Sequence, residues 1–360
     1  MANINFLSWN VETYGPSKFS KVPSNFPDDL NPRAWPILQS LADTAALLGA
    51  NIISILELKA TDSAKVISYL KEILAFKTNL EWHCQPMPTQ NDVYCVFYAM
   101  EQGFDLLSQP PAGGFPGLPV AGCTSADRDG NQLRYPSPDS ERGGRPPGYV
   151  AFQTTDRPDG QNVIFTVLCY HAMFSKKYSK YGVQSIPSAA PVTTVRVAGA
   201  DQNVTASFIG GDFNVDYITQ PSPYDNAVNP VAGWVPAAVN PSLGDAAKTS
   251  LKNFTKESFP AVDYVNTTDY RENAYDNIFA HNPTTVVPAG GNVPPSRVID
   301  LLSLFMSPAG ALKECPYYFD PETLRKGPFM AFPMVTAKQS YAFYRSAISN
   351  HLPVFAQFTL

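Results

Sequence analysis

The chain alternates short apolar runs with polar, Pro- and Gly-rich segments, and the period of the apolar positions predicts which runs are strands and which are helices. Runs rich in β-branched and aromatic residues, bounded by turn residues, predict strands. They cover residues 4–11, 51–58, 81–85, 93–98, 104–107, 149–154, 163–170, 205–210, 275–280 and 354–360. Strands thus recur along the whole chain.

Apolar residues at helical spacing predict two amphipathic helices between the first strands. The first begins at Asn31 and Pro32, which favour an N-cap and a first helical position, and it stops at Gly49. The second covers residues 61–76. Residues 297–305 and 336–347 also look helical. Strands mixed with helices predict an α/β chain.

In three segments the apolar residues follow neither the strand period nor the helix period. Residues 109–148 are rich in Pro and Gly and read as a long surface insertion, and residues 217–260 read as a second, loop-rich insertion. A further irregular region covers about residues 187–201. The chemistry-bearing motifs span residues 9–354, so we predict one large domain over residues 1–360 rather than two.

Composition limits where this protein is expected to act. The chain has 360 residues, of which 44% are hydrophobic, but it has no uninterrupted apolar stretch long enough to span a membrane. The first residues contain no basic segment of the kind that opens a signal peptide. We therefore expect a cytoplasmic protein, one exported by another route, or a mature form cloned behind a new methionine.

Cysteine spacing and charge exclude some classes of site. The five cysteines are odd in number and show no CxxC spacing, which argues against a zinc site or a disulfide framework. Net charge is −5. A protein that coats nucleic acid without specificity would normally be basic, whereas a metal-dependent nuclease needs no broad basic surface.

Two short polar motifs, one at Glu57 and one at Asp212, supply carboxylates. Glu57 ends a nearly continuous apolar strand, where an ionised side chain usually has a partner, although it also fits an exposed residue past the strand end. Asp212 and Asn214 follow Gly211 in a Gly-Gly-Asp-Phe-Asn string, and on an extended chain they would point the same way. An Asx turn after the strand is the alternative for Asp212.

Two histidines are candidates for proton transfer. His171 and His351 are two of the four histidines in the chain, and each lies at a strand end. His351 stands in a compact Ser-Asn-His-Leu-Pro-Val string, and a carboxylate on its far nitrogen would fix the tautomer. Asp276 is the candidate for that carboxylate. His83 and His281 fit structural roles better.

Taken in order, these motifs resemble the endonuclease/exonuclease/phosphatase superfamily, with its deoxyribonuclease-I-like fold. The resemblance spans nearly the whole chain, from Trp9-Asn10-Val11 to the terminal string. It implies a four-layer sandwich in which two mixed β-sheets pack face to face between helices. It also implies dependence on Mg²⁺ or Mn²⁺.

The resemblance also implies roles for individual residues. His351, held by Asp276, would act as a base or a phosphate ligand, with His171 on the opposite side of the phosphate. The residues it assigns to catalysis are His171, Asp212, Asn214, Asp276 and His351. The residues it assigns to the metal are Asn10, Glu57, Asp212, Asn214 and Asn350.

Less specific matches concern an acidic residue beside His171 and an arginine that reaches the phosphate. Asp92 is the candidate for the first. Arg142 and Arg145 are alternatives for the second, and the sequence does not choose between them.

One position departs from the family pattern. The family's terminal string has Asp before His, whereas this chain has Asn350. The change removes a negative charge beside a dication, and one unit-charge pair at about 4 Å is worth on the order of 4 kcal/mol before desolvation at an effective dielectric of about 20. An amide oxygen still coordinates hard cations, so we expect metal binding to be weakened rather than lost.

The leading functional hypothesis is a metal-dependent phosphodiesterase that hydrolyses nucleic acid, with DNA favoured over RNA. We expect it to act as a monomer. One alternative is a phospholipid, sphingolipid or small phosphate-ester hydrolase of the same fold, for which Phe115 and Leu118 would be exposed apolar contacts. A catalytically silenced binding module, motivated by Asn350, is the other alternative.

Overall fold

The computed structural model describes residues 2–14, 36–60, 63–89, 92–109, 117–123, 147–155, 160–172, 179, 183, 190–220, 234–239, 241–254, 267–282, 285–286, 296–302, 341 and 344–360. Within these residues, the chain forms two seven-stranded sheets and a separate two-stranded hairpin. Each sheet contains both parallel and antiparallel neighbours.

Sheet A has the strand order β14-β16-β1-β2-β4-β3, with β15 also paired to β16. Its strands are β1 (Asn3–Tyr14), β2 (Ile52–Lys59), β3 (Trp82–Pro88), β4 (Asp92–Ala99), β14 (Thr285–Val286), β15 (Ser296–Val298) and β16 (Val354–Thr359). β1 therefore lies between the last strand of the chain and β2.

Sheet B has the strand order β12-β13-β11-β8-β7-β5, with β6 also paired to β7. Its strands are β5 (Phe104–Leu106), β6 (Ala121–Cys123), β7 (Gly148–Thr154), β8 (Ile164–His171), β11 (Ala206–Asp212), β12 (Trp234–Pro236) and β13 (Asp276–His281). The hairpin consists of β9 (Thr194–Val197) and β10 (Ala200–Asn203).

The two sheets pack face to face. The Phe208 ring of sheet B lies 4.3 Å from the Phe358 ring of sheet A. Gly210 permits this close approach, because a Cβ atom there would lie 2.7 Å from the Cβ of Ser8. Buried side chains from both sheets form one continuous hydrophobic cluster between them.

Helices cover the outer face of sheet A. α1 (Pro36–Leu48) and α2 (Ser63–Thr78) are joined by an ion pair of 2.7 Å between Lys77 and Asp43. Ile37 of α1 and Leu70 of α2 line one apolar cavity together with Phe97 of β4. None of the helices in the described part of the chain is long and apolar enough to cross a membrane.

On the outer face of sheet B, the described chain supplies one helical turn, α3 (Ala190–Thr193). The hydroxyl of Thr166 donates to the carbonyl of Pro191, and that of Ser207 donates to the carbonyl of Val192, both at 2.8 Å. The predicted α/β sandwich of two packed mixed sheets is confirmed.

Several predictions of local structure need correction. The predicted helix at 297–305 does not begin at 297, because residues 296–298 form the strand β15 and pair with β16, whereas residues 301–302 are helical. The region near residues 187–201 contains the β9–β10 hairpin, and β6 lies within the predicted insertion at 109–148. The predicted helix start at Asn31 and Pro32 lies outside the described residues.

Candidate active site

The polar residues identified from the sequence lie at one edge of the two-sheet sandwich. β1 and β2 run parallel and reach this edge at their carboxyl ends, as do the parallel strands β8 and β11 of sheet B. β16 and β13 run antiparallel to them and begin at the same edge. The residues brought to this edge are Asn10, Glu57, His171, Asp212, Asp276 and His351.

Three residues at this edge have left-handed backbone conformations, which residues other than Gly rarely adopt. Their φ angles are 48° at Glu12, 63° at Glu57 and 49° at Asn214. Register shifts also interrupt the pairing of β1 with β2 and of β2 with β4 near the ends of these strands. Bulges and strained residues of this kind redirect side chains and are frequent beside active sites.

The Asn10 amide draws two carboxylates together. Its Nδ2 donates to Oε1 of Glu57 at 3.0 Å and to Oδ2 of Asp212 at 2.9 Å. Its Oδ1 accepts from the backbone N–H of Glu12 at 2.9 Å. In this orientation, Asn10 organises the carboxylates through its nitrogen, while its oxygen is used by the backbone.

His171 lies against the same two carboxylates. Its Nε2 is 3.2 Å from Oε1 of Glu57 and 3.8 Å from Oδ2 of Asp212. One ligand atom from each of these three residues falls within 4.8 Å of the others, a spacing at which they could hold a metal ion. We call Glu57, His171 and Asp212 the carboxylate cluster.

Asn214 supports Asp212 from behind. Its backbone N–H donates to Oδ1 of Asp212 at 2.9 Å, and its Nδ2 donates to the carbonyl of Ala172 at 2.8 Å. The first contact is an Asx turn. The expectation of an extended chain is therefore wrong here, because the chain turns at Asn214 while Asp212 still points into the cluster.

His351 and Asp276 form a buried pair opposite the carboxylate cluster. Nδ1 of His351 lies 2.6 Å from Oδ2 of Asp276, and Nε2 lies 3.7 Å from Oδ2 of Asp212. Burial lowers the pKa of His351, but the carboxylates of Asp276 and Asp212 outweigh it and raise the pKa to about 10. The imidazole is thus protonated at neutral pH in the metal-free protein.

The pKa of Asp212 is raised as well. Burial raises the pKa of its carboxyl, the nearby His351 lowers it, and the charge of Asp276 raises it again. The net direction is upward, so the buried carboxylate binds a proton more readily than an exposed one. The pKa values of the two facing groups, Asp212 and His351, are therefore both shifted in the direction that favours the protonated form.

The string around His351 is anchored to β1. Oγ of Ser349 donates to the carbonyl of Asn10 at 2.8 Å and accepts from the His351 N–H at 3.0 Å. The indole of Trp9 donates to the carbonyl of His351 at 3.0 Å. Ser349 had no role in the sequence analysis, although it belongs to the string that pointed to His351.

Asn350 directly precedes His351 in the chain. Its backbone N–H donates to Oε2 of Glu12 at 3.3 Å. Its Oδ1 is buried and accepts no hydrogen bond from the residues described. Asp92 is buried at the start of β4, opposite Lys59. Arg142 and Arg145 lie outside the described residues.

The charges of the site fit a divalent cation. Carboxylates of Glu57, Asp212 and Asp276 converge there, and the His351 imidazolium offsets part of their charge. Oδ1 of Asp276 is also buried without a hydrogen-bond donor among the described residues. Carboxylate oxygens are the ligands that Mg²⁺ and Mn²⁺ prefer, so the donor set is suitable for either.

No family model and no curated protein sequence matches the chain. Among solved structures, it is similar to an endonuclease/exonuclease/phosphatase family protein from Bacteroides thetaiotaomicron, with 14% identity, a TM-score of 0.49 and coverage of 99% of this chain and 98% of that chain. It is also similar to a mannosyl-6-phosphatase from the same organism, with 14% identity, a TM-score of 0.49 and coverage of 99% and 100%.

A third similar structure is TDP2 of D. rerio complexed with a single strand DNA product, with 14% identity, a TM-score of 0.45 and coverage of 100% of both chains. The family named for the first structure is the one that the order of motifs resembles. The roles assigned to residues below rest on the contacts within this chain.

Proposed function

We propose that this protein hydrolyses phosphate esters with the help of a divalent cation. Its proposed substrates are phosphodiesters of nucleic acid, with DNA favoured over RNA. The observation that carries the proposal is the pair His351–Asp276 facing the carboxylate cluster, with 3.7 Å between His351 Nε2 and Asp212 Oδ2. A proton donor next to a group of cation-binding side chains suits attack of water on phosphorus.

In this proposal, Glu57 and Asp212 hold the cation. Bound there, Mg²⁺ or Mn²⁺ would supply positive charge to the phosphate as negative charge develops on its oxygens. Asn10 keeps the two carboxylates together through Nδ2, and Asn214 fixes Asp212 through its Asx turn. The assignment of Asn350 as a further ligand stays a prediction, because its buried Oδ1 has no described contact with the cluster.

Proton transfer is assigned to the two facing groups. Asp276 occupies Nδ1 of His351, so Nε2 is the atom that exchanges a proton with substrate. The raised pKa makes Nε2 a donor at neutral pH, suited to the departing oxygen or to an oxygen of the phosphate. Asp212, whose Oδ2 lies 3.7 Å from Nε2 of His351, is assigned to accept a proton from the attacking water.

The motif that contains Asp276 supports nucleic acid rather than an inositol phosphate as the substrate. The Tyr275-Asp276-Asn277 string resembles the nuclease branch of the superfamily and lacks the Trp-Cys-Asp-Arg string usual in inositol-phosphate phosphatases. The net charge of −5 argues for contact through the cation rather than through a broad basic surface.

Nicking of supercoiled plasmid tests the proposal. The wild-type protein is expected to nick plasmid with Mg²⁺ or Mn²⁺ and not with EDTA, and His351→Ala is expected to lose the activity. His83→Ala is the matched control, because His83 lies on β3 and pairs with the exposed Glu81. Equal nicking by the wild type and His351→Ala would contradict the proposed role of His351.

A lipid phosphodiester is the second candidate, and one observation favours it. Leu118, in the described part of the predicted insertion at 109–148, is 73% exposed. An exposed leucine of this kind would suit contact with a lipid surface. Flotation with liposomes of phosphatidylcholine and sphingomyelin tests this candidate. Binding that is lost in Leu118→Ser, together with no plasmid nicking, would favour lipid over DNA.

A further inference from the structure

The hydrogen bond between His351 and Asp276 connects two different sheets. Asp276 is the first residue of β13 in sheet B, and His351 lies just before β16 in sheet A. β13 and β16 are not hydrogen-bonded neighbours, so no ladder fixes the distance between them. The contact of 2.6 Å across the sandwich therefore depends on contacts outside the sheet ladders.

Residues 249–251 contact the strand segment that carries His351. The N–H of Leu352 donates to the carbonyl of Thr249, and the N–H of Leu251 donates to the carbonyl of Asn350, both at 2.8 Å. Ser250 forms an isolated antiparallel bridge with His351 itself. This short segment thus pairs with the backbone on both sides of the histidine.

The same three residues contact the segment that carries Asp276. The N–H of Thr249 donates to the carbonyl of Asn273 at 2.8 Å. The side-chain oxygen of Thr249 accepts from the backbone N–H of Asp276 at 2.9 Å and from that of Tyr275 at 3.2 Å. Thr249 is fully buried, so water does not replace these contacts.

We propose that Thr249 is a positioning residue for the His351–Asp276 pair. Its carbonyl holds the segment of sheet A and its hydroxyl holds the first residue of β13, so one residue sets the spacing between a histidine and a carboxylate from separate sheets. The structural role stands on these contacts, and its effect on turnover rests on the proposed hydrolase function.

The side chain can be tested apart from the backbone with Thr249→Val, which keeps the volume and removes the hydroxyl, and Thr249→Ser, which restores it. In the metal-free protein, the Nδ1 proton of His351 held by Asp276 should give a low-field proton resonance that His351→Gln lacks. We expect Thr249→Val to lose or shift this resonance and Thr249→Ser to retain it.

If the protein cleaves plasmid, Thr249→Val should lower kcat about ten- to hundredfold with little change in KM, because misplacement of a catalytic group affects the reacting geometry more than binding. Thr249→Ser should recover most of the rate. Should Thr249→Val fail to fold, Thr249→Ala removes the same hydroxyl with less bulk and is compared with the serine variant in the same way.

Thr166→Val is the matched control, because Thr166 is equally buried and its hydroxyl makes two hydrogen bonds near the opposite end of β8. It should lose stability without changing the His351 resonance. An unchanged resonance in Thr249→Val, or equal changes in both variants, would overturn the positioning role. Absence of plasmid cleavage in the wild type would count against the proposed function alone, since the resonance is read without substrate.

Discussion

The same strands end in two contrasting environments. At the end of the sandwich away from the site, aromatic rings from both sheets pack between them. Phe165 contacts the rings of Phe152 at 5.2 Å and Phe208 at 6.1 Å, and Phe208 lies 4.3 Å from Phe358 across the sheets. This aromatic end consists of Phe104, Phe152, Phe165, Phe208 and Phe358.

At the site end, the strands finish with buried charges and strained backbone. β8 runs from Phe165 in the aromatic end to His171 in the carboxylate cluster, and β11 runs from Phe208 to Asp212. Like charges held together in a buried site oppose folding, whereas packed aromatic rings favour it. This fold thus concentrates stability at one end and can tolerate a destabilising arrangement at the other.

The largest expected effect comes from the aromatic end. Phe165→Ala removes a fully buried ring and should lower the free energy of unfolding by about 3–5 kcal/mol, because a cavity remains where the ring packed. Urea unfolding measures the loss. Phe76→Ala on α2, where the ring is 47% exposed, is the matched control and should cost much less.

Affinity for Mn²⁺, measured by calorimetry on the folded Phe165→Ala protein, should stay within about threefold of wild type. An affinity for Mn²⁺ that falls in step with the free energy of unfolding would show that the aromatic end and the site end are coupled rather than independent.

The next effect concerns the site end in the presence of metal. A cation that binds the folded protein at about 100 times its Kd should stabilise it by about 2.7 kcal/mol. Asp212→Asn should lose most of this gain, because it removes a buried carboxylate from the cluster. Thermal unfolding with Mn²⁺ and with EDTA measures the difference.

Asp43→Asn is the control for charge removal, since Asp43 pairs with Lys77 between the helices and not in the site. It should keep the full gain from metal. A gain that persists in Asp212→Asn would place the cation outside the carboxylate cluster.

A smaller effect follows from the pKa of His351, raised from 6.5 to about 10 in the folded protein. Between these values the folded state holds a proton that the unfolded state has released, so the stabilisation is complete below the lower value and is lost as pH rises through the upper one. The free energy of unfolding of the metal-free protein should fall by up to about 1.4 kcal/mol per pH unit in this window.

Urea unfolding in EDTA at about pH 7.5 and about pH 8.5 measures the slope, with His351→Gln as the reference in which it should be absent. Subtracting the variant removes the contribution of buried thiols and phenols, whose raised pKa values change stability in the same direction. Equal slopes in both proteins would mean that His351 does not hold the extra proton.

How much of this could be predicted from the sequence depends on the range of the interactions involved. The strands that carry Glu57 and Asp212 near their ends were predictable because each is an apolar run with a single carboxylate close to its end. The hydrogen bonds of Thr249 were not, because a lone threonine in a loop-rich segment has no local signal and its partners lie more than 20 residues away.

Two local errors have related physical causes. The helix predicted at 297–305 starts instead with residues of β15, because β16 offers them backbone partners that outweigh a weak local preference. Asn214 was expected on an extended chain, but its side chain and backbone both find partners when φ is positive, at the carbonyl of Ala172 and the carboxylate of Asp212. In each case the tertiary partner decides the conformation.

The smallest expected effect concerns Asn350, where a charge can be added to the site end. Asn350→Asp would place a carboxylate at a position whose buried Oδ1 has no hydrogen-bond donor among the described residues. A cation nearby would be attracted to it, while the Glu12 carboxylate, which accepts from the Asn350 backbone, would repel it. These opposed terms should leave a gain in Mn²⁺ affinity of only about three- to fivefold, below 1 kcal/mol.

Asn203→Asp on the exposed β9–β10 hairpin adds the same charge far from the site and should change nothing in calorimetry. A gain of more than about a hundredfold would mean that the asparagine itself silences the site, and an affinity that falls would mean that repulsion by Glu12 dominates.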